Sequence, residues 1–144
     1  MKYLSTRNNK LRESFKHILF KGLSEDKGLF IPENWPKIDI NSLKGKSYEE
    51  VALIVIKPFI GNDIGTQDLN NIIYSTYNNF KHPKIAPLVN INENKYILEL
   101  FYGPTLAFKD YALQFLGNLF THYLSNNDKK ITILGATSGD TGSA

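Results

Sequence analysis

Residues Ile131–Ala144 read ITILGATSGDTGSA, and their order decides the fold class. Ile131-Thr132-Ile133-Leu134 is short, apolar and rich in β-branched residues, as an inner strand of a parallel sheet requires. A glycine-rich loop follows at once, with Gly135, Gly139 and Gly142 interleaved with Thr137, Ser138 and Thr141. Strand, glycine-rich loop and helix start together predict an α/β domain that is truncated just as it begins. Such a loop at a helix N-terminus brings amides and hydroxyls to one place and suits an anion. It lacks the lysine of a phosphate-binding P-loop and does not fit GxGxxG. A plain βα turn that needs glycine and capping hydroxyls explains it equally well. Asp140 adds negative charge, which suits a hydrogen bond to a cofactor group or to an internal donor.

Upstream, Leu98–Tyr111 reads LELFYGPTLAFKDY and sets Lys109 among Leu106, Ala107, Phe108, Tyr111, Ala112 and Leu113. An amine at a helix N-terminus in apolar surroundings has its charged form disfavoured by desolvation and by the helix dipole, which makes it a nucleophile. On spacing alone the favoured account is plainer: a lysine snorkelling from the rim of a buried helix, with Asp110 as a first-turn carboxylate. The helix after Gly103-Pro104-Thr105 carries Phe108, Tyr111, Ala112, Phe115, Leu116, Leu119, Phe120 and Tyr123 in one broad stripe, so it is expected to be mostly buried. The polar run from Ser125 to Lys130 closes it. Before it, Leu88–Ile91 and Tyr96–Leu100 flank the polar turn at residues 92–95 and predict a β-hairpin.

Further towards the N-terminus, apolar residues at Leu11, Phe15, Ile18, Leu19 and Leu23 predict a helix over 11–23 that ends near Gly22. Leu29–Ile31 reads as a short extended piece, and Trp35 as an anchor of the following loop against the core. Ser47 and Glu50 form a capping-box pattern for a helix that Pro58 should end. A third helix is expected from Gln67 to Phe80 with Thr66 as cap. Residues 1–84 thus read as a small helical unit, with a boundary at Lys81–Lys84, and residues 85–144 as the beginning of an α/β domain.

Composition narrows the function classes. Hydrophobic residues make up 42% and charged residues 22% of the 144, which is the composition of a packed globular chain. The net charge of +3 comes from scattered lysines, which suit a solvated face and not a nucleic-acid stripe. There is no cysteine, and His17, His82 and His122 are far apart, so no metal centre is expected. Neither a secretory signal nor a run of about 18 apolar residues is present, so a cytoplasmic protein that engages no membrane is expected.

Two motifs carry a resemblance. ILELFYGPTLAFKDYALQFLG and ILGATSGDTGSA closely resemble threonine synthase, a pyridoxal-phosphate enzyme of fold type II in the tryptophan-synthase-β-like group. Tyr3-Leu4-Ser5-Thr6-Arg7 and Gly28-Leu29-Phe30-Ile31-Pro32 resemble the family's N-terminal signature, and Pro58-Phe59-Ile60-Gly61 its helical subdomain. The family often has glycine at the positions of Asn8 and Lys27, and histidine at that of Tyr102.

The resemblance implies an N-terminal fragment: a helical subdomain over 1–84, then the start of the pyridoxal-phosphate catalytic domain over 85–144. It implies that Lys109 holds pyridoxal phosphate as a Schiff base and that Asp140 faces the cofactor. It assigns Thr137, Ser138, Gly139, Thr141 and Gly142 to the substrate's α-carboxylate. The implied reaction is that of a carbon–oxygen lyase, converting O-phospho-L-homoserine and water to L-threonine and phosphate, in an intact enzyme that is a monomer or homodimer. The 144-residue fragment alone is expected to be inactive, since the loop gripping the cofactor phosphate comes later in the family. Threonine dehydratase, a cysteine-synthase-like enzyme and a non-catalytic truncated homologue are the competing readings.

Overall fold

The computed structural model describes residues 1–125 and 130–144. Two compact units emerge, residues 1–46 with 50–69 and residues 47–49 with 70–144. Helices and strands are mixed in sequence, and every ladder among the described residues is antiparallel.

In the first unit, β1 (Tyr3–Ser5) is the central strand of a three-stranded sheet, between β2 (Asn8–Glu13) and β3 (Phe30–Pro32). Tyr3 pairs with Pro32, Leu4 with Ile31 and Ser5 with Phe30, so the two N-terminal signature segments are partner strands. Gly28 lets the chains close on each other. A Cβ there would stand 2.1 Å from the Ser5 hydroxyl, which donates to Asp26 at 2.7 Å. The unit expected to be helical therefore contains a sheet as well.

The helix expected from Leu11 starts later. Residues 8–13 pair with β1, Ser14 caps the helix by accepting from the His17 amide at 3.3 Å, and α1 runs over Phe15–Lys21. The helical spacing of Leu11 and Phe15 yields to strand pairing that is invisible in a local window. Trp35 also departs from expectation: it is 73% exposed, and its ring stands edge-to-face with that of Phe59 at 6.2 Å between centroids.

Helix α2 (Tyr48–Ile60) runs through Pro58 instead of ending there. The Lys57 ammonium donates to the carbonyls of Gly61 at 2.8 Å and Ile64 at 2.7 Å, and Gly61 takes a left-handed φ of 66° beyond the last turn. Those bonds tie the chain beyond the helix back to its last turn, where the Gly61 amide donates to Lys57 O at 2.9 Å and Ile60 is 1% exposed. Helix α3 (Thr66–Tyr77) turns Leu69, Ile72, Ile73 and Thr76 inward at helical spacing.

In the second unit, Tyr77 and Phe80 join Tyr48 and Tyr111 in an edge-to-face cluster with centroids 4.8–6.5 Å apart. The Tyr111 hydroxyl donates to Ile85 O at 2.6 Å, and the Tyr77 hydroxyl to Tyr111 O at 2.9 Å. The expected hairpin is present as β4 (Leu88–Asn92) and β5 (Lys95–Leu98), with Leu88 opposite Leu98. It leads into α4 (Asp110–Leu124), where only Asp110 and Leu119 are buried. The mostly buried helix expected here is not found, because its apolar stripe is wider than the surface that residues 70–144 bring against it. Residues 131–134 form no strand, and Ile133 and Leu134 are 77% and 96% exposed. An inner parallel strand needs neighbours, and the described residues offer it none. The polar close expected over 125–130 falls mainly on 126–129, outside the described residues.

Candidate functional site

The loop from Gly103 to Lys109 is built around one carboxylate. Asp110 is fully buried, and its two oxygens accept from the Thr105 amide at 2.9 Å and the Thr105 hydroxyl at 2.7 Å. Gly103 packs so tightly on this side chain that a Cβ would lie 2.3 Å from its oxygen. Leu106 is held at a positive φ of 66°, which is uncommon for a residue other than glycine. Lys109 then occupies the N-cap of α4 and begins the helix by accepting from the Leu113 amide at 2.9 Å, with no capping bond from its own side chain.

The Lys109 side chain is 28% exposed and its ammonium lies 4.7 Å from the centre of the Phe108 ring. It forms an ion pair with the Asp140 carboxylate. The amine read among apolar neighbours is therefore paired, Asp140 having found an internal donor, and the structure joins the two motifs. Lysine and the Ser138 hydroxyl, in that order, hold the Asp140 carboxyl below its ordinary range. Beside the pair opens an apolar cleft of about 580 Å³, walled by Leu98, Leu100, Phe108, Tyr111 and Leu113, with Lys109 and Thr141 among its lining residues.

The TSGDTG segment ends in one turn of helix, α5 (Asp140–Ser143). Thr137 accepts from the Gly139 amide at 3.2 Å, Ser138 donates to Asp140 at 3.1 Å, and Gly139 has φ 122°. Gly142 lies against Thr137, where a Cβ would meet the hydroxyl at 2.8 Å. Thus Thr137, Ser138, Gly139, Asp140, Thr141 and Gly142 form a single loop, and Asp140 and Thr141 are its links to Lys109 and the cleft. An apolar wall for a flat ring, one lysine amine among its lining residues and hydroxyls beside it are a donor set that fits pyridoxal phosphate at its aldehyde end.

Sequence comparison gives this geometry its family. The family described as "Threonine synthase N terminus" matches residues 2–77, more than half of the chain. The chain belongs to the threonine synthase family. Threonine synthase from Pseudomonas aeruginosa is 46% identical over the whole of this chain, and that from Schizosaccharomyces pombe is 44% identical over 99% of it. Among solved structures, the pyridoxal-phosphate-bound threonine synthase of Brucella melitensis superposes with a TM-score of 0.93 at 44% identity, covering 99% of this chain and 31% of that one. The Escherichia coli threonine synthase gives 0.86 at 32% identity, covering 99% and 32%. The chain spans about a third of the length of these threonine synthases: 31% of the Pseudomonas and 30% of the Schizosaccharomyces protein.

Two arrangements escaped the sequence reading. Asp110 is the first-turn carboxylate the sequence predicts, and it is in addition the buried fastener of the loop; the threonine five residues before it is the available signal. The Tyr102 hydroxyl donates to Glu99 at 2.7 Å while its ring lies 4.7 Å from that of His82, and the bond to Glu99 chiefly raises its pKa. Among the described residues there is no metal-ligating cluster, and no helix is long and apolar enough to cross a membrane.

Proposed function

We propose that this chain is the N-terminal part of a cytoplasmic threonine synthase, in which Lys109 carries pyridoxal phosphate and the enzyme converts O-phospho-L-homoserine and water to L-threonine and phosphate. Residues 1–84 would be the family's N-terminal subdomain, and residues 85–144 the opening of the catalytic domain. The observation that carries the reading is the pairing of Lys109, which lines the apolar cleft, with Asp140, in a chain of this family.

The cofactor, when bound, supplies an electron-accepting ring for carbanion chemistry at the substrate's α-carbon. Lys109 anchors it and, as a free amine after the substrate has entered, carries protons at the substrate's Cα and Cβ. Asp140 orients the cofactor-bearing amine through their ion pair. Thr137, Ser138, Gly139, Thr141 and Gly142 receive the α-carboxylate on their hydroxyls and amides. Leu98, Leu100 and Phe108 would offer the cofactor ring an apolar wall. In the reaction a proton leaves Cβ as phosphate departs from Cγ. Cγ then takes up a proton to become the methyl group, and water adds its hydroxyl at Cβ and gives up its other proton.

The test uses a polypeptide of the relatives' full length that carries this segment, offered O-phospho-L-homoserine, threonine and O-acetylserine separately. Phosphate release from the first, lost in Lys109→Ala, is the expected result. Turnover of only the other two would overturn the assignment.

A further inference from the structure

Asp110 is not among the residues that line the cleft, yet it is wholly buried. A buried acid survives only where donors replace its water, and Thr105 supplies two: its amide at 2.9 Å and its hydroxyl at 2.7 Å. These bonds close the loop between β5 and α4, and the residue within that closure, Leu106, is strained at φ 66°. Its side chain is 58% exposed, so burial of that leucine does not offset the strain. Local strain of this kind persists only when the surroundings over-determine it. What over-determines it here is the Asp110–Thr105 pair, backed by Gly103 at a distance that admits no larger residue. Lys109 lies between Leu106 and Asp110, so the clamp fixes where its backbone stands and the direction in which its side chain leaves the helix.

We infer that Asp110, acting through Thr105, is a positioning residue for Lys109: the buried clamp aims the amine at the cleft. The inference rests on the reading of Lys109 as the cofactor-bearing lysine. The geometry asks for both donors of Thr105, which serine retains and valine halves. It also asks for two acceptor oxygens, which asparagine reduces to one.

The experiment compares Asp110→Asn, Thr105→Val and Thr105→Ser in a full-length polypeptide carrying this segment. It records kcat, KM and the visible circular dichroism of the bound cofactor per unit of its absorbance, which reports the cofactor's orientation. In the cofactor-free protein, hydrogen exchange is followed at the Thr105 and Leu106 amides. Expected for Asp110→Asn and Thr105→Val are a loss of about tenfold or more in kcat with KM within about threefold, a reduced visible dichroism, and faster exchange at Thr105. Thr105→Ser should match the parent in all four. Parent-like kcat and dichroism in Thr105→Val would overturn the inference, as would Thr105→Ser failing alongside it. If Asp110→Asn does not fold, the Thr105 pair alone decides. Retention of the lysine-linked cofactor absorbance in Lys109→Ala would instead refute the reading beneath the inference.

Discussion

Replacing Gly103 with alanine tests the packing of the Lys109 loop without touching any reactive group. The added Cβ would stand 2.3, 2.4 and 2.7 Å from the Asp110 Oδ2, Cβ and Cγ atoms, and no flexible tail is available to yield. Gly103 has no positive φ, so the cost is steric and not conformational. The structure has two responses. It can keep the carboxylate in place and strain the loop, at about 1–3 kcal/mol for an overpacked site. Alternatively it can expel the carboxylate and forfeit two charge-assisted hydrogen bonds, worth about 1.5–3 kcal/mol each. The cheaper route sets the loss, so about 1–3 kcal/mol is expected. Gly117→Ala is the internal control: its Cβ meets nothing within 4 Å on α4, and alanine there should stabilise by about 0.5–1 kcal/mol. Urea unfolding followed by far-ultraviolet circular dichroism measures both. A loss below about 0.5 kcal/mol for Gly103→Ala, with Gly117→Ala behaving as stated, would refute the tight seating of Asp110.

Burial makes two more contrasts. Leu69 is fully buried and Trp35 is 73% exposed, so Leu69→Ala should cost about 2–5 kcal/mol and Trp35→Ala no more than its ring contact, about 0.5–1.5 kcal/mol, in the same unfolding assay. Burial, with Asp63 second, pushes the Tyr3 hydroxyl up to about 12, and the hydroxyl donates to Phe59 O at 2.8 Å. The neutral form is the one the fold favours, so its contribution is complete below the unfolded value of about 10 and disappears as pH rises through about 12. Tyr3→Phe should therefore be less stable than the parent at pH 7 by about 1 kcal/mol and decline less steeply above pH 10. Tyr48, Tyr77 and Tyr111, also raised chiefly by burial, supply the decline that persists.

What the sequence disclosed depended on the range of the interaction. The hairpin at 88–98, helix α3 and the onset of α4 after Gly103-Pro104-Thr105 rest on local periodicity and turn chemistry, and all three are present. Strand β2 was hidden because Leu11 lies at helical distance from Phe15, while the strand pairs with β1 from Asn8 opposite Ser5 to Glu13 opposite Tyr3. Pro58 misled for a different reason: the helix runs two residues past it, to Ile60, and the lysine beside it ties Gly61 and Ile64 back to that last turn. Lys27, where the family often has glycine, does adopt the left-handed backbone that glycine would favour, with φ 61°. At the site, the chemistry of Lys109 and of the 137–142 loop was legible in residue type, but their meeting through Asp140 spans 31 positions and required the fold. The Asp110 clamp is short-range, and it was missed because a first-turn aspartate ordinarily faces water.

The most direct test is chemical. A full-length polypeptide carrying this segment is loaded with pyridoxal phosphate, reduced with borohydride and digested, and each lysine-containing peptide is weighed. The stoichiometric pyridoxyl group should be found on Lys109, with Lys109→Ala leaving none at that level. Stoichiometric label on a different lysine, or label spread evenly over the exposed lysines with none favoured, would contradict the assignment of Lys109 as the cofactor-bearing residue.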